Sequence, residues 1–338
     1  MRWLTWGMVL AVALALTAGA APAADEDQLA ALDGLLAEGR PAEAATRAAD
    51  LLRSGDLQPR NVWRVRQRLA AALLDLDRPA EAVPELEAAL ADAPDEPALH
   101  LSLGRALSRS GKRGRAIAEY QTAVHGEPGR YEWRLEYAEA LLDLGARRDA
   151  LAEIASARRT CGECRDALRA EVDAHLRVGD HRAAVAPLRR LYASSGGADD
   201  RLLLGQCLWN ADDAGGVAAL LDTVAANALD PRERMLALQA DRRLGRSARA
   251  LRYVAAGDAG VDEVAMAADH AWALVAEICL ADDHAAEALV AIDRAVARAP
   301  RQAVHHHNRA AILVALGRQD EARAALDRAR ALDPGLGR

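Results

Sequence analysis

The residues best suited to chemistry are Cys161 and Cys164, in the stretch TCGECRD at positions 160–166. Two cysteines at this spacing can form a disulfide, exchange electrons with another thiol, or supply half of a zinc site. The remaining cysteines, Cys207 and Cys279, stand alone, which argues against a zinc site. Arg165 follows Cys164, where a c-type haem attachment motif would have a histidine. Three interpretations stay open: a structural bridge, free thiols or a redox-active pair.

Three consecutive histidines, His305 to His307, form the second candidate cluster. On a helix they would fan out at about 100° per residue, so they cannot all face one metal ion. The sequence also lacks the G-x-S-x-G, Walker A, H-E-x-x-H and G-x-G-x-x-G motifs. We therefore expect a protein that is not an enzyme and that needs no metal or cofactor.

The composition points to closely packed helices. Apolar residues make up 51% of the 338-residue chain, yet aromatic residues make up only 3% and Phe is absent, so Ala and Leu must form the core. Small and unbranched side chains of this kind let helices approach closely. The net charge of −7 gives no basic surface, and we expect no nucleic-acid partner.

The first 23 residues predict a secretory signal peptide. Arg2 precedes an uncharged stretch from Trp3 to Ala24, which ends near an Ala-Pro-Ala triplet suited to cleavage. The same stretch could instead remain as a membrane anchor, because it is long enough to span a bilayer. No other segment predicts an integral membrane span. We expect a periplasmic or secreted protein, with membrane anchoring as the alternative.

A period of 34 residues runs through the chain: it separates Pro94 from Pro128 and Pro300 from Pro334. The clearest copy is PALHLSLGRALSRSGKRGRAIAEYQTAVHGEP, residues 97–128, which has Gly104 at place 8, Ala116 at place 20 and Pro128 at place 32. This pattern resembles the tetratricopeptide repeat, W-x2-L-G-x2-Y, then A-x3-F, then P. Copies begin near Asp25, Trp63, Pro97, Tyr131, Arg165, Ala198, Pro231, Asp269 and Ala303.

The resemblance implies an all-α fold, a solenoid of about eight to nine stacked antiparallel helix pairs that form a right-handed superhelix. The apolar spacing of Leu69, Leu73 and Leu76 is that of an amphipathic helix and agrees with this fold. We expect a signal peptide at 1–23 and an N-terminal helical hairpin at 24–62. A repeat array at 63–197, degenerate repeats at 198–268 and a C-terminal repeat pair at 269–338 would follow.

In this family, ligands usually lie along a concave groove formed by the first helix of each repeat, at places 2, 5, 9, 12 and 13. The residues at these places run from basic to acidic and back to basic, with one aromatic residue. They would suit an extended partner of complementary charge, although ordinary solvated side chains are an open alternative. The candidate partner-binding residues are Arg105, Arg109, Glu139, Arg169, Asp173, Gln206, Trp209, Asn210, Gln239 and Arg242.

The repeat register also gives a place to the cysteines and histidines. Cys161 and Cys164 fall at the turn between two repeats, with Gly162 where proline usually ends the helix, and this position favours a disulfide that fixes the turn. The register further predicts that His306 points into the core and His307 toward the groove.

Together these features predict a non-enzymatic scaffold or adaptor in the bacterial cell envelope, which would bind another protein or an extended peptide segment. Secretion, polysaccharide export and envelope assembly are the pathways considered. One alternative is a groove-binding protein for a glycan or a small ligand. A second alternative is a thiol-redox accessory protein that uses Cys161 and Cys164.

Overall fold

The computed structural model describes residues 25–224, 228–256 and 268–336, and the predicted signal peptide lies outside them. Within these ranges the regular secondary structure is helical and no residue forms a strand. The helices are α1 (25–37), α2 (Pro41–Ser54), α3 (Pro59–Asp75), α4 (Pro79–Asp92), α5 (Pro97–Arg109), α6 (Arg113–Gly126), α7 (Tyr131–Asp143), α8 (Arg147–Cys161), α9 (Arg165–Leu176), α10 (His181–Ser195), α11 (Ala198–Asn210), α12 (Ala214–Asp222), α13 (Pro231–Leu244), α14 (Ala248–Ala256), α15 (Ala268–Ala281), α16 (Ala285–Arg298), α17 (Ala303–Ala315) and α18 (Gln319–Leu332).

The helix starts follow the predicted repeat. The first helices of six copies begin at the predicted residues: Pro97, Tyr131, Arg165, Ala198, Pro231 and Ala303. Helix α3 begins at Pro59, four residues before the predicted Trp63, because proline suits the first turn of a helix. The Asp25 carboxylate also accepts hydrogen bonds there from the Gln58 N–H (3.0 Å) and the Asn61 side-chain amide (2.9 Å). The all-α repeat prediction is confirmed.

The turn inside each hairpin has one recurring backbone feature. Place 15 has a positive φ in all nine copies, and this left-handed conformation reverses the chain after the first helix. Glycine adopts it without a steric cost, and aspartate tolerates it better than most residues do. The residues are Gly39, Asp77, Gly111, Gly145, Gly179, Asp212, Gly245, Asp283 and Gly317.

Small residues lie where the two helices of a hairpin cross. A Cβ atom on Gly104 of α5 would come within 3.1 Å of the Tyr120 ring of α6, and one on Gly126 would come within 2.6 Å of Pro97. Ala116, at place 20, is fully buried. In the degenerate copy Val217 occupies this place and is also fully buried, on the short nine-residue helix α12. The crossings therefore explain the small residues of the repeat pattern.

By its internal contacts the chain forms two units, Met1–Ala174 and His175–Arg338. One apolar cluster, which includes Leu69, Leu107 and Ile154, runs through the first unit. In the second unit a cluster surrounds the fully buried Trp272, and a buried ion pair joins Arg201 of α11 to Glu233 of α13, with the Nε–Oε1 distance at 2.6 Å. The finer domain boundaries at 62, 197 and 268 stay predictions.

The histidine prediction is wrong in one respect, because His305 rather than His306 is buried on α17. The His305 Nε2 lies 2.9 Å from Asp269 Oδ2, whereas the His306 Nε2 lies 2.9 Å from the carbonyl oxygen of Pro300. His100, at the same place as His306 in its own repeat, makes the equivalent contact with the Pro94 carbonyl at 3.0 Å. A histidine at place 4 therefore binds the proline carbonyl of the preceding turn instead of entering the core. His307 is exposed, and its orientation toward the groove stays a prediction.

Candidate functional site

Three of the predicted groove residues meet in one pocket of the first unit. Arg105 is the ninth residue of α5 and Arg109 the last, and Glu139 is the ninth residue of α7. All three are exposed, and the pocket between the two helices has a volume of about 270 Å³. Its lining residues are Arg105, Ser108, Arg109, Tyr120, Glu136, Glu139, Ala140 and Asp143.

Ion pairs between successive first helices organise this pocket. The Arg105 guanidinium donates two hydrogen bonds to the Glu136 carboxylate, from Nε to Oε2 at 2.6 Å and from Nη2 to Oε1 at 2.5 Å. Arg109 Nη2 donates to Asp77 Oδ1, at the turn after α3, at 3.1 Å. The hydrogen bond to Glu136 raises the pKa of Arg105, and burial opposes this shift only in part. The arginine therefore stays charged.

The pocket combines paired opposite charges with a buried, neutral tyrosine, Tyr120. Tyr120 lies at the base and is buried, and this burial, followed by the charge of Glu136, raises its pKa above its ordinary value. The phenol is therefore neutral at physiological pH. Exposed ion pairs of the Arg105–Glu136 kind contribute about 1 kcal/mol or less, so charged groups of a partner can replace either member. The arrangement suits binding of a charged segment.

Arg169 and Asp173 lie four residues apart on α9, and both are exposed. Neither lines the pocket between α5 and α7. Residues at this spacing share one face of a helix. Arg169 and Asp173 therefore place opposite charges on the same face of α9.

In the second unit, Gln206, Trp209 and Asn210 lie on α11. Trp209 is half-buried, and the Arg243 guanidinium lies 5.6 Å from its ring centroid, at a cation–π distance. Gln206 and Asn210 are exposed beside it. The structure thus places these three predicted residues together, with Arg243 as an additional member.

Gln239 and Arg242 lie on α13, and Arg242 contacts a residue that lines a second pocket. Arg242 Nη1 lies 3.0 Å from both carboxylate oxygens of Glu277 on α15. Glu277 lines a pocket of about 310 Å³ between α15 and α17, whose other lining residues are Ala273, Ala276, Leu280, Asn308, Ala311 and Ile312. The sequence prediction missed this pocket because it selected polar, charged and aromatic residues at groove places. The signal available in the sequence was alanine at those places, as at Ala273 and Ala311.

A cysteine, a histidine and an asparagine lie near one another in the second unit: Cys207, His181 and Asn210. Residues of these types can activate a cysteine as a nucleophile. Cys207 Sγ lies 4.0 Å from His181 Nδ1, and the Asn210 side-chain nitrogen lies 3.5 Å from His181 Nε2. However, Cys207 is only 1% exposed, and burial raises the pKa of its thiol. The thiol is therefore protonated and closed to an external substrate. Across the ranges that the structure describes, no three His, Cys, Asp or Glu side chains are grouped as metal ligands.

Cys161 and Cys164 are joined by a disulfide at the turn between α8 and α9. Gly162 and Glu163, between them, both have a positive φ, of 69° and 66°. The Cys164 N–H donates a hydrogen bond to Cys161 Sγ at 3.3 Å. The bridge therefore closes a tight loop that connects the end of one helix to the start of the next.

Comparisons with known proteins give partial likenesses. The family model described as a bacterial transcriptional activator domain matches residues 15–127, about a third of the chain. No curated protein matches the sequence. None of the helices in the described ranges combines the length and the apolar character needed to cross a bilayer.

Among solved structures, a tetratricopeptide repeat protein from Parabacteroides merdae is 10% identical, with 90% of this chain and 98% of that chain covered and a TM-score of 0.48. A thermophilic tetratricopeptide repeat protein from Thermus thermophilus is 19% identical, with 55% and 99% covered and a TM-score of 0.43. Both TM-scores are below 0.5. The fold is therefore assigned from the features of this chain's own helical hairpins. Its helix pairs recur about every 34 residues, each hairpin has a left-handed turn at place 15, and small residues lie at the crossings. This chain therefore has the tetratricopeptide repeat fold.

Proposed function

We propose that this protein is a non-enzymatic scaffold that binds an extended segment of another protein between its first helices. The pocket between α5 and α7 is the observation that carries the proposal. It is open to solvent, it lies between two successive repeats, and its walls carry exposed charges of both signs. A segment that crosses it would meet Arg105 and Arg109 on one wall and Glu139 on the other.

The arrangement of charges supports a protein partner over a glycan. Glycan sites commonly present an exposed aromatic ring, but the aromatic residue of this pocket, Tyr120, is only 5% exposed. Arginine and carboxylate side chains instead match the charged groups of a polypeptide, and they give specificity and fast association more than raw affinity. Weak exposed pairs such as Arg109–Asp77 exchange easily with charges of the partner.

A charge-reversal experiment tests this proposal. Arg109→Glu reverses the charge of an exposed arginine in the pocket. Arg115→Glu, the control, reverses the charge of an exposed arginine on α6 that pairs with Glu87 on α4, and both of these are second helices of their repeats. Affinity purification from envelope fractions should recover the same stoichiometric partner with the wild type and with Arg115→Glu, and should lose it with Arg109→Glu. Equal recovery with all three proteins would contradict binding in this pocket, and retention on a glycan array in its place would support the glycan alternative.

We also propose that the protein acts in the bacterial cell envelope, on the strength of the signal-like residues 1–23. Secretion, polysaccharide export and envelope assembly are the settings in which such a scaffold would serve. Intact-mass measurement of the exported protein tests this part. A mature chain that begins at Ala24 is expected, and a full-length protein confined to the cytoplasm would contradict it.

A further inference from the structure

We propose that the Cys161–Cys164 disulfide is an exchangeable redox site that an external dithiol reduces while the protein stays folded. This would be an activity separate from partner binding between α5 and α7. It requires that the sulfurs can be reached, that the oxidised loop is destabilised relative to the reduced loop, and that one sulfur is a good leaving group.

The first requirement is met by the position of the bridge. Both cysteines are half-buried, and Gly162 and Glu163 between them are exposed. The two other cysteines, Cys207 and Cys279, are 1% and 0% exposed. The bridge is therefore more accessible to an external thiol than the remaining cysteines are.

The second requirement is met by the backbone of the loop. Gly162 and Glu163 adopt left-handed conformations one after the other, with φ at 69° and 66°. Glycine does so freely, whereas a glutamate there brings its Cβ atom too close to its own backbone. When the bridge opens, Glu163 is free to return to an ordinary conformation. The left-handed Glu163 thus favours the reduced form.

The third requirement is met at Cys161. Its sulfur accepts a hydrogen bond from the Cys164 N–H at 3.3 Å, and this N–H lies immediately before α9 begins. Free N–H groups at a helix start carry partial positive charge and stabilise a thiolate. Cys161 is therefore the better leaving group, and the incoming thiolate attacks the sulfur of Cys164.

The exchange balances as a two-electron reaction with a dithiol. One thiolate of the dithiol bonds to Cys164 Sγ, the S–S bond breaks, and Cys161 leaves as a thiolate that takes a proton from water. The second thiolate of the dithiol then attacks the dithiol sulfur that is bonded to Cys164. The mixed disulfide breaks, and Cys164 leaves as a thiolate that takes a proton from water. The protein gains two electrons and two protons, and the dithiol becomes a cyclic disulfide.

Two substitutions at Glu163 separate backbone strain from charge. Glu163→Gly removes the steric cost of the left-handed conformation. Glu163→Gln keeps that cost and removes the carboxylate charge, which pairs with Arg158 through an Nη2–Oε1 contact of 2.8 Å. The native full-length proteins are equilibrated with reduced and oxidised dithiothreitol and quenched in acid. Alkylation and mass spectrometry of the peptide that contains both cysteines then give the reduced fraction.

The wild type is expected to be reduced without loss of far-UV ellipticity. At equal dithiothreitol ratios, the reduced-to-oxidised ratio of Glu163→Gly should be about fivefold to tenfold lower than that of the wild type, and that of Glu163→Gln should be close to the wild-type ratio. A wild-type bridge that resists dithiothreitol until urea unfolds the protein would overturn the proposal. Equal reduction of Glu163→Gly and the wild type would also overturn it.

Discussion

Arg105 on α5 donates two hydrogen bonds, of 2.6 and 2.5 Å, to the Glu136 carboxylate on α7, across the boundary between two repeats. The side chains are 44% and 32% exposed. The pair therefore connects neighbouring first helices at the surface and remains open to exchange with a partner.

We expect this pair to matter more for binding than for stability. Arg105→Gln should lower the free energy of unfolding by less than about 1 kcal/mol, because exposed ion pairs are screened by water. A double-mutant cycle with Glu136→Gln, followed by urea unfolding, measures the coupling directly. A coupling energy of several kcal/mol would show that the pair is instead a main support of the stack.

The crossing of α5 and α6 predicts opposite outcomes for two glycines of α6. Gly126→Ala should destabilise the protein by about 1–3 kcal/mol, because its Cβ atom would lie 2.6 Å from the rigid Pro97 ring. Gly114→Ala should be neutral or stabilising by up to about 1 kcal/mol, since its Cβ atom meets nothing within 4 Å. Thermal unfolding of both variants checks this. A tolerated Gly126→Ala would mean that the crossing is looser than described.

The buried ion pair in the second unit predicts a larger effect. Arg201 and Glu233 are 8% and 0% exposed. Glu233 also accepts the Asp230 N–H at the start of α13. Arg201→Met leaves that carboxylate buried without its partner and should cost about 3–5 kcal/mol. The urea midpoint measures this cost, with Arg242→Met, which removes an exposed pair, as the matched control. Similar losses in both variants would contradict the distinction.

Asp269 predicts a pH dependence in the second unit. Burial alone would raise the pKa of this carboxyl, but the hydrogen bond from His305 and the charges of His270 and His305 hold it below its ordinary value. A lowered folded-state pKa means that the stabilisation is complete above the unfolded-state value, about 3.9. It is lost as the pH falls through the folded-state pKa.

Urea midpoints between about pH 2 and pH 6 test this, the range that brackets the ordinary aspartate pKa. Asp269→Asn should flatten the acid-side loss of stability, whereas Asp320→Asn, at a fully exposed side chain, should leave the pH profile unchanged. An unchanged profile for Asp269→Asn would contradict the assignment.

Two tryptophans allow a predicted binding residue to be compared with a core residue. Trp209 is half-buried under Arg243, and Trp272 is fully buried beneath the Arg294 guanidinium, 4.4 Å from its ring centroid. Trp209→Ala should weaken partner capture and leave helicity and melting nearly unchanged. Trp272→Ala should lower the free energy of unfolding by about 3–5 kcal/mol. A large fall in melting temperature for Trp209→Ala would show that this residue belongs to the core.

Local chemistry explains which features the sequence could predict. The repeat starts and the turns at place 15 depend on residues that are close in sequence, such as Gly111 and Pro97, so the 34-residue period located them. The pairing of Arg105 with Glu136 depends on how two repeats stack, which no local pattern reports. The prediction that His306 points into the core is wrong because its Nε2 hydrogen-bonds to the Pro300 carbonyl oxygen, and the buried histidine is His305.

Site-specific photo-crosslinking at Ser108 tests the central claim most directly. Ser108 lines the pocket between α5 and α7, and Ala118, an exposed residue of α6 outside that lining, is the control position. A photoreactive residue at position 108 should crosslink the partner recovered with the wild type, and the same residue at position 118 should not. Crosslinking to that partner from position 118 and none from position 108 would contradict binding between the first helices.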